Sequence, residues 1–291
     1  PPPPPPPRPP PPPPFCFLAD VRIRDSVASR GLGVVFKIQA NTLHLETYKS
    51  FLYNRLQRKG SDSKDIHRLA ARDRHVFAAL MLAHGHGDGL VTGATRKSAH
   101  VLERLNHVFD ANAKHGAVGI TALLHKGRIV FIGDTLVHEW PNEEDLANIA
   151  EKGAKVARHM GLEPRVAFVS FSTFGYPVSE RAEKMQRAPD VLDARGVDFE
   201  YEGEMTVDVA LNAESQKNYS FSRLTGPANI LVVPARHSAS ISVKLMQEMA
   251  GATVIGPILT GLDKSIQICS TTSTANAILN MAILAACKVG E

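Results

Sequence analysis

The chain has 291 residues, 44% hydrophobic and 21% charged, with a formal net charge of +4, an ordinary globular mix long enough for one large domain or two modest ones. No apolar run reaches the roughly 20 residues of a membrane helix, and nothing resembles a signal peptide. Three distant cysteines (Cys16, Cys269, Cys287) give neither a disulfide framework nor a zinc spacing and fit a reducing cytoplasm, while scattered charges without a basic block exclude a nucleic-acid footprint and leave a small anionic ligand.

Residues 1–14 are proline except Arg8. Such a tract can form only a polyproline II arm, and it is set aside from the fold as non-native. "FCFLA" (15–19) and "GVVFKI" (33–38) read as short strands. "ETYKSFLYNRLQRKG" (46–60) carries Leu52, Leu56 and aromatics at helical spacing and stops at Gly60. A buried helix follows over 74–85, then a strand over 89–94 and a helix over 98–109. "RIVFIGDT" (128–135) is a strand. Residues 141–164 are the clearest helix, with Pro141 near the start, acids in the first turn and basic residues late. "RVAFVSFS" (165–172) is an apolar strand of the doubly covered, parallel kind. A helix over 179–196 is expected to kink or split at Pro189. "NILVVP" (229–234) is a buried strand, 239–251 a helix, 253–261 a strand and 275–288 a terminal helix. Alternating strands and helices predict an α/β fold with a largely parallel sheet.

Several clusters invite chemistry. In "AHGHGDG" (83–89), His84, His86 and Asp88 alternate as metal ligands on an extended segment do, but a solvated turn gives the same pattern and is the reading favoured. Cys269 lacks a local base or positive charge to activate it, so it reads as a buried structural thiol. "SFSTFG" (170–175), with Ser172 and Thr173, follows a strand as a phosphate-binding turn does. Glu200, Glu202, Glu204 and Asp208 offer paired carboxylates, but an exposed strand edge gives the same pattern and is the reading favoured. "ICSTTSTANAILN" (268–280) is dense in hydroxyls, at Ser270, Thr271, Thr272, Ser273 and Thr274, and holds no acid, base or arginine. There is no complete dinucleotide or P-loop motif and no Ser-His-Asp signature.

"GDGLVTGA", "GDTLVHEWPNEEDLANIA", "EPRVAFVSFSTFG", "EGEMTVDVALN", "FSRLTGPANILVVP", "SISVKLMQ" and "IGPILTGLDKSIQI" occur in an order that resembles phosphate acetyltransferases. "SRLTGPANILVVP" and "ILNMAILAA" are most similar to the C-terminal phosphotransacetylase-like domain of bacterial NADP-dependent malic enzymes. The resemblance implies two α/β/α subdomains with a mainly parallel sheet and a cleft between them, the isocitrate/isopropylmalate dehydrogenase-like fold. Subdomain I would be 15–132 plus 266–291, and subdomain II 133–265. In the transferases the cleft holds coenzyme A and acetyl phosphate. Arginines and a serine hold the phosphate and developing oxyanion, and an aspartate acts as base. Ser270 matches the family serine. Thr271 stands where an arginine belongs, Ala277 where the aspartate belongs, and Glu103 at a second arginine position, with Arg104 adjacent. The resemblance therefore implies an acetyl-CoA-binding, non-transferring module that helps assemble a malic enzyme oligomer, with an active phosphate acetyltransferase as the alternative. Its ligand contacts would be Ser270, Thr271, Thr272, Ser273, Arg104, Ser172, Thr173 and Lys264, with no metal. NADP and Mg or Mn would belong to a catalytic domain outside this chain, which would be the module's partner. Neither nucleic acid nor membrane is an expected partner, and the location would be the cytoplasm.

Overall fold

The computed structural model describes residues 17–18, 44–109 and 116–289. The proline tract, the expected strand over 33–38 and most of 15–19 lie outside them. The elements, in chain order, are β1 (Phe17–Leu18), α1 (44–56), α2 (Ser63–Arg72), α3 (Arg74–Ala83), β2 (Gly89–Gly93) and α4 (Ser98–Leu105). Then come β3 (Val118–His125), β4 (Arg128–Gly133), α5 (Glu143–His159), β5 (Arg165–Val169), α6 (Glu180–Arg195) and β6 (Glu200–Met205). The chain finishes with α7 (Val207–Leu211), α8 (Ala213–Gln216), β7 (Ile230–Val232), α9 (Arg236–Ala250), β8 (Thr253–Thr260), β9 (Ser265–Cys269) and α10 (Ala275–Ala286).

The strands form a three-stranded sheet, β1-β2-β9, and a six-stranded sheet, β6-β5-β7-β4-β3-β8. The small sheet is parallel throughout. In the large one β4, β5, β6 and β7 are parallel, while β3 is antiparallel to both β4 and β8. The fold is thus α/β with mainly parallel sheets. Strand alternation sorts its core. Val166 and Phe168 of β5 join Leu146 and Ile149 of α5 and Met185 and Leu192 of α6 in one cluster. Ala167 and Val169 join Val209 of α7 and Ala239 of α9 in another. A third cluster binds α1, α2, α3 and α4 to the small sheet and takes in Leu136 and Leu259.

Pro189 does not split α6, which runs continuously past it. The strand β3 was not among the expected elements. Its run of six buried residues has no alternation, and periodicity cannot separate such a run from helix. By strand pairing, the chain crosses between sheets before Val118 and again after Thr260, so β4 ends at the expected 132/133 boundary while pairing on both sides within the large sheet. The carboxylates of β6 lie on an edge strand, but Glu202 and Glu204 are buried.

One side chain joins the sheets. Gln267 of β9 is fully buried, and its amide accepts from Leu259 N at 2.9 Å and donates to Leu259 O at 3.1 Å. It replaces the backbone ladder that β8 and β9 lack there. A second buried polar group, Asp134, closes the end of β4. Its Oδ1 accepts from the backbone N–H of Gly119, Leu136 and Val137, and its Oδ2 from His138 N and the His138 ring Nδ1 at 2.8 Å.

Replacing Gln267 by Leu strands the buried N–H and C=O of Leu259, at about 1–3 kcal/mol each. Urea denaturation should show a loss of about 2–6 kcal/mol; an unchanged midpoint would refute the bridge. The hydrogen bond to Asp134, helped by the Asp134 and Asp145 charges, raises the His138 pKa above its ordinary value. This contribution is complete below the unfolded value and fades as pH rises through the higher folded one. His138→Ala should therefore destabilise more at pH 5.5 than at pH 9, read from urea midpoints at both pH values.

Candidate functional site

Parallel strands present their C-terminal ends as a natural ligand edge. In the small sheet, Gly93 of β2 is in register with Cys269 of β9, so the loops that follow lie side by side, about 4.8 Å apart at their roots. Gly93 has φ 112°, and a Cβ there would sit 2.2 Å from Cys269 O, so only glycine fits. The sharp turn is fixed by Ala94 N donating to Cys269 O and Thr95 N to Gly93 O. It delivers Thr95 and Arg96 to the edge.

Beside this loop lies the junction of α2 and α3. Asp73 caps α3, its Oδ1 accepting from His75 N at 3.0 Å and Val76 N at 3.2 Å, while its Oδ2 faces Arg104 Nε at 3.4 Å. The flanking Arg72 and Arg74 turn the junction basic. His75 is buried, with Nδ1 2.7 Å from Thr92 Oγ1. These residues, with Thr95, Arg96 and His100, line a cavity of about 490 Å³. Three guanidiniums against one carboxylate favour an anion. Arg72 and Arg96 have no ion-pair partner among the described residues.

The neighbouring hydroxyl turn, 270–274, is held by internal bonds. Ser273 N donates to Ser270 O, and Ser270 Oγ lies 3.1 Å from Thr272 Oγ1. Thr274 caps α10 by accepting from Ala277 N at 3.2 Å. Thr271 and Thr272 are exposed. Behind the turn, Ser273, Ala277, Asn280 and β8 residues Val254 to Gly256 border a second cavity of about 20 Å³, room for one water. Cys269 is buried, and burial pushes its thiol up to about 11, so it is not a nucleophile at neutral pH.

The expected site residues divide between two ends of the molecule. Ser270, Thr271, Thr272 and Ser273 cluster at one edge, and Arg104 reaches the cavity beside it through Asp73 and through His100, 3.5 Å from its Nε. Lys264 lies at the opposite end of β9, roughly 20 Å of strand away. Ser172 and Thr173 lie beyond the C-terminal end of β5, which runs parallel to β4, whereas Val254 and Ile255 of β8 beside the hydroxyl turn lie, through β3, level with Val130 and Phe131 in the middle of β4. Their hydroxyls serve the fold. Ser172 is fully buried and donates to Ser170 Oγ, while Thr173 accepts from Thr206 N at 3.1 Å. The acids of β6 likewise anchor loops: Glu204 Oε1 accepts from Gly175 N, Glu202 Oε2 from Arg223 N, and Glu200 pairs with Thr225.

His84 and His86 stand 6.2 Å apart, with His44 4.3 Å from His86 and Tyr48 Oη 2.8 Å from His86 Nδ1. No group of three His, Cys, Asp or Glu among the described residues is placed to hold a metal. Sequence reasoning missed Arg72, Arg74 and Arg96. The signal was "RDRH" (72–75), an aspartate between arginines where the helix expected over 74–85 starts.

Residues 21–286 match a sequence model described as phosphate acetyl/butaryl transferase. An NADP-dependent malic enzyme of Rhizobium meliloti (strain 1021) is 50% identical over 243 residues, 84% of this chain and 32% of that protein. A phosphate acetyltransferase of Bacillus subtilis (strain 168) is 27% identical over 234 residues, 80% of this chain and 72% of that protein. Among solved structures, a phosphotransacetylase from Streptococcus pyogenes matches with a TM-score of 0.78 at 24% identity, over 86% of this chain and 77% of that one. This likeness shows the fold. The chain spans about a third of the length of the malic enzymes it matches.

Asp73→Ala removes the α3 cap and the partner of Arg104. A stability loss of about 1–2 kcal/mol is expected, measurable as a lowered thermal midpoint; an unchanged midpoint would show that Asp73 is not holding the junction.

Proposed function

The chain belongs to the phosphate acetyl/butaryl transferase family, and from that premise we propose that it is a ligand-binding, assembling module of an NADP-dependent malic enzyme. It takes acetyl-CoA or a related acyl-CoA at the arginine-lined edge without transferring the acyl group. Likeness to the Rhizobium meliloti enzyme, over a third of that protein's length, supports the malic enzyme assignment. On this reading the remaining two thirds of such a polypeptide carries NADP, the divalent cation and the decarboxylation of malate. The module works in the cytoplasm as part of a homo-oligomer.

The observation that carries the reading is a site rich in guanidinium whose one carboxylate is engaged and whose neighbouring hydroxyl turn carries neither acid nor base. Acyl transfer to coenzyme A needs a group to take the thiol proton and a donor for the oxyanion. The hydroxyl turn has Thr271 where the family arginine belongs and α10 has Ala277 where the aspartate belongs, so neutral hydroxyl donors remain there without a charged donor or a carboxylate base. The one carboxylate lining the cavity, Asp73, has both oxygens engaged by α3 and Arg104. A missing base costs about 100- to 10,000-fold and a missing oxyanion donor about 100- to 1,000-fold. Binding survives these losses, because Arg72, Arg96 and the exposed hydroxyls still meet phosphate and carbonyl oxygens. Ligand occupancy would then change malate oxidation elsewhere in the polypeptide through a coupling of about 1–3 kcal/mol.

Calorimetric titration of acetyl-CoA tests this. Saturable binding is expected, weakened about 10- to 100-fold in Arg96→Ala and a few-fold in Ser270→Ala and Thr271→Ala. Acetyl phosphate and coenzyme A should yield no acetyl-CoA. Absence of heat would remove the ligand, and turnover at an ordinary enzymatic rate would make the chain a transferase.

A further inference from the structure

Three acceptors converge on Arg104. Its Nε donates to His100 Nε2 at 3.5 Å and faces Asp73 Oδ2 at 3.4 Å, and its Nη1 lies 3.4 Å from His107 Nε2. A guanidinium only donates, so each ring nitrogen that meets it must present a lone pair. Both histidines are therefore neutral while these contacts last, with the proton on Nδ1. His100 suits that tautomer, because its Nδ1 faces Glu103 Oε2 at 3.6 Å. An imidazolium carries N–H on both nitrogens and cannot accept. Proton uptake at either ring thus breaks a contact with Arg104 and sets two cations side by side.

This cluster backs the anion-favouring cavity. His100 and Asp73 belong to the cavity wall, and Arg104 and His107 stand behind them. The charges facing the two rings come from four pieces of chain. Glu103 and Arg104 are on α4 itself, and Arg72, Asp73 and Arg74 come from the α2–α3 junction. Arg96 comes from the loop after β2, and Lys59 from the turn after α1. Buried His75 shares the wall. Cations outnumber carboxylates here. Burial, and after it the charge of Arg104, hold His107 below the ordinary histidine value; Lys59 acts in the same direction, and Glu103 and Asp73 oppose it. An anion seated in the cavity reverses that balance, because it supplies the negative charge against which both rings can hold a proton.

The effect is reciprocal by linkage. If an anion favours the protonated rings, the protonated rings favour the anion by the same factor. We propose that His100 and His107 make this cavity a pH-responsive oxyanion site: neutral, they serve as acceptors for Arg104, and protonated, they add positive charge at and behind the wall and tighten the hold on sulfate- or phosphate-type groups. The inference rests on the anion-holding part of the function proposed above and gives that site its regulation.

Sulfate is the probe, because its charge stays constant from pH 5.5 to pH 8 whereas phosphate esters titrate across that range. Calorimetric titration into the 291-residue chain should give a dissociation constant about 10-fold lower at pH 5.5 than at pH 8. Net proton uptake on binding should appear when buffers of different ionisation enthalpy are compared. His100→Gln and His107→Gln should each remove part of the pH dependence, and the two together all of it. Glutamine keeps an acceptor for Arg104, so far-UV circular dichroism should not change, and the single variants carry the reading if the double variant does not fold. Absence of sulfate binding overturns the inference, as does an affinity that ignores pH. A pH dependence that survives both substitutions belongs to another group, such as His75, and overturns it too. The ligand reading fails separately: sulfate binding that tightens in acid without any uptake of acetyl-CoA keeps the role of the histidines and loses that ligand, and acetyl-CoA binding with a flat sulfate profile does the reverse.

Discussion

Two sheets of different size are registered by one amide. Gln267 pairs both of its hydrogen-bonding groups with the backbone of Leu259, in a place where neither water nor a strand ladder reaches. Its position fixes the rest. The residues after it on β9 end at Cys269, in register with Gly93, so the same strand that is tied to the large sheet by its centre is tied to the arginine-bearing loop by its end. Any slip at Gln267 would move the hydroxyl turn, together with the β2 loop paired to it, relative to β8. A buried carboxamide suits this task because it is neutral, and a matched donor and acceptor leave nothing unpaired.

The disposition of acids decides what chemistry the chain retains. Asp134, Glu202, Glu204 and Asp73 are each held by backbone N–H groups or arginine. Such contacts occupy the carboxylate oxygens and tie them to the fold. Arginines are used differently. Some, such as Arg195 with Glu144 and Glu151, brace surface helices. Arg72 and Arg96 stand at a cavity wall instead. Positive charge is thus kept at that cavity wall, where it would favour an anion.

Much of the fold could be read from the residues, and the reasons are physical. The helix over 141–164 announces itself by its acids and Asn142, which forms a capping box with Asp145. Gly60 and Gly251 adopt the left-handed conformation expected of helix stops. The strand β3 stayed hidden because burial on both faces erases alternation. The hydroxyl turn was legible because Ser, Thr and a following apolar run are contiguous. The cavity was not, since Arg72 and Arg74 come from one stretch and Arg96 and His100 from another, brought together by the His75–Thr92 contact and the Asp73–Arg104 pair. Ser172, Thr173 and Lys264 show the converse limit. Residue type suggested anion contacts, whereas strand direction places them at the other end of the sheets.

The edge strand β8 connects the remaining parts. Its first residues, Val254 to Gly256, border the small cavity behind Ser273 and Ala277, and the same stretch pairs with β3 of the large sheet. Strand backbones are stiff along their length, so a displacement at one side of β8 is felt at the other. Anything seated at the hydroxyl turn would therefore bear on the large sheet through this strand. It shifts the strand only if it prefers one position over another; equal affinity for two positions shifts nothing. The small cavity offers the means, since a space for one water beside Ser273 leaves the turn room to settle against β8, whereas the core behind it, packed from Ile258 to Cys269 and Met281, does not yield.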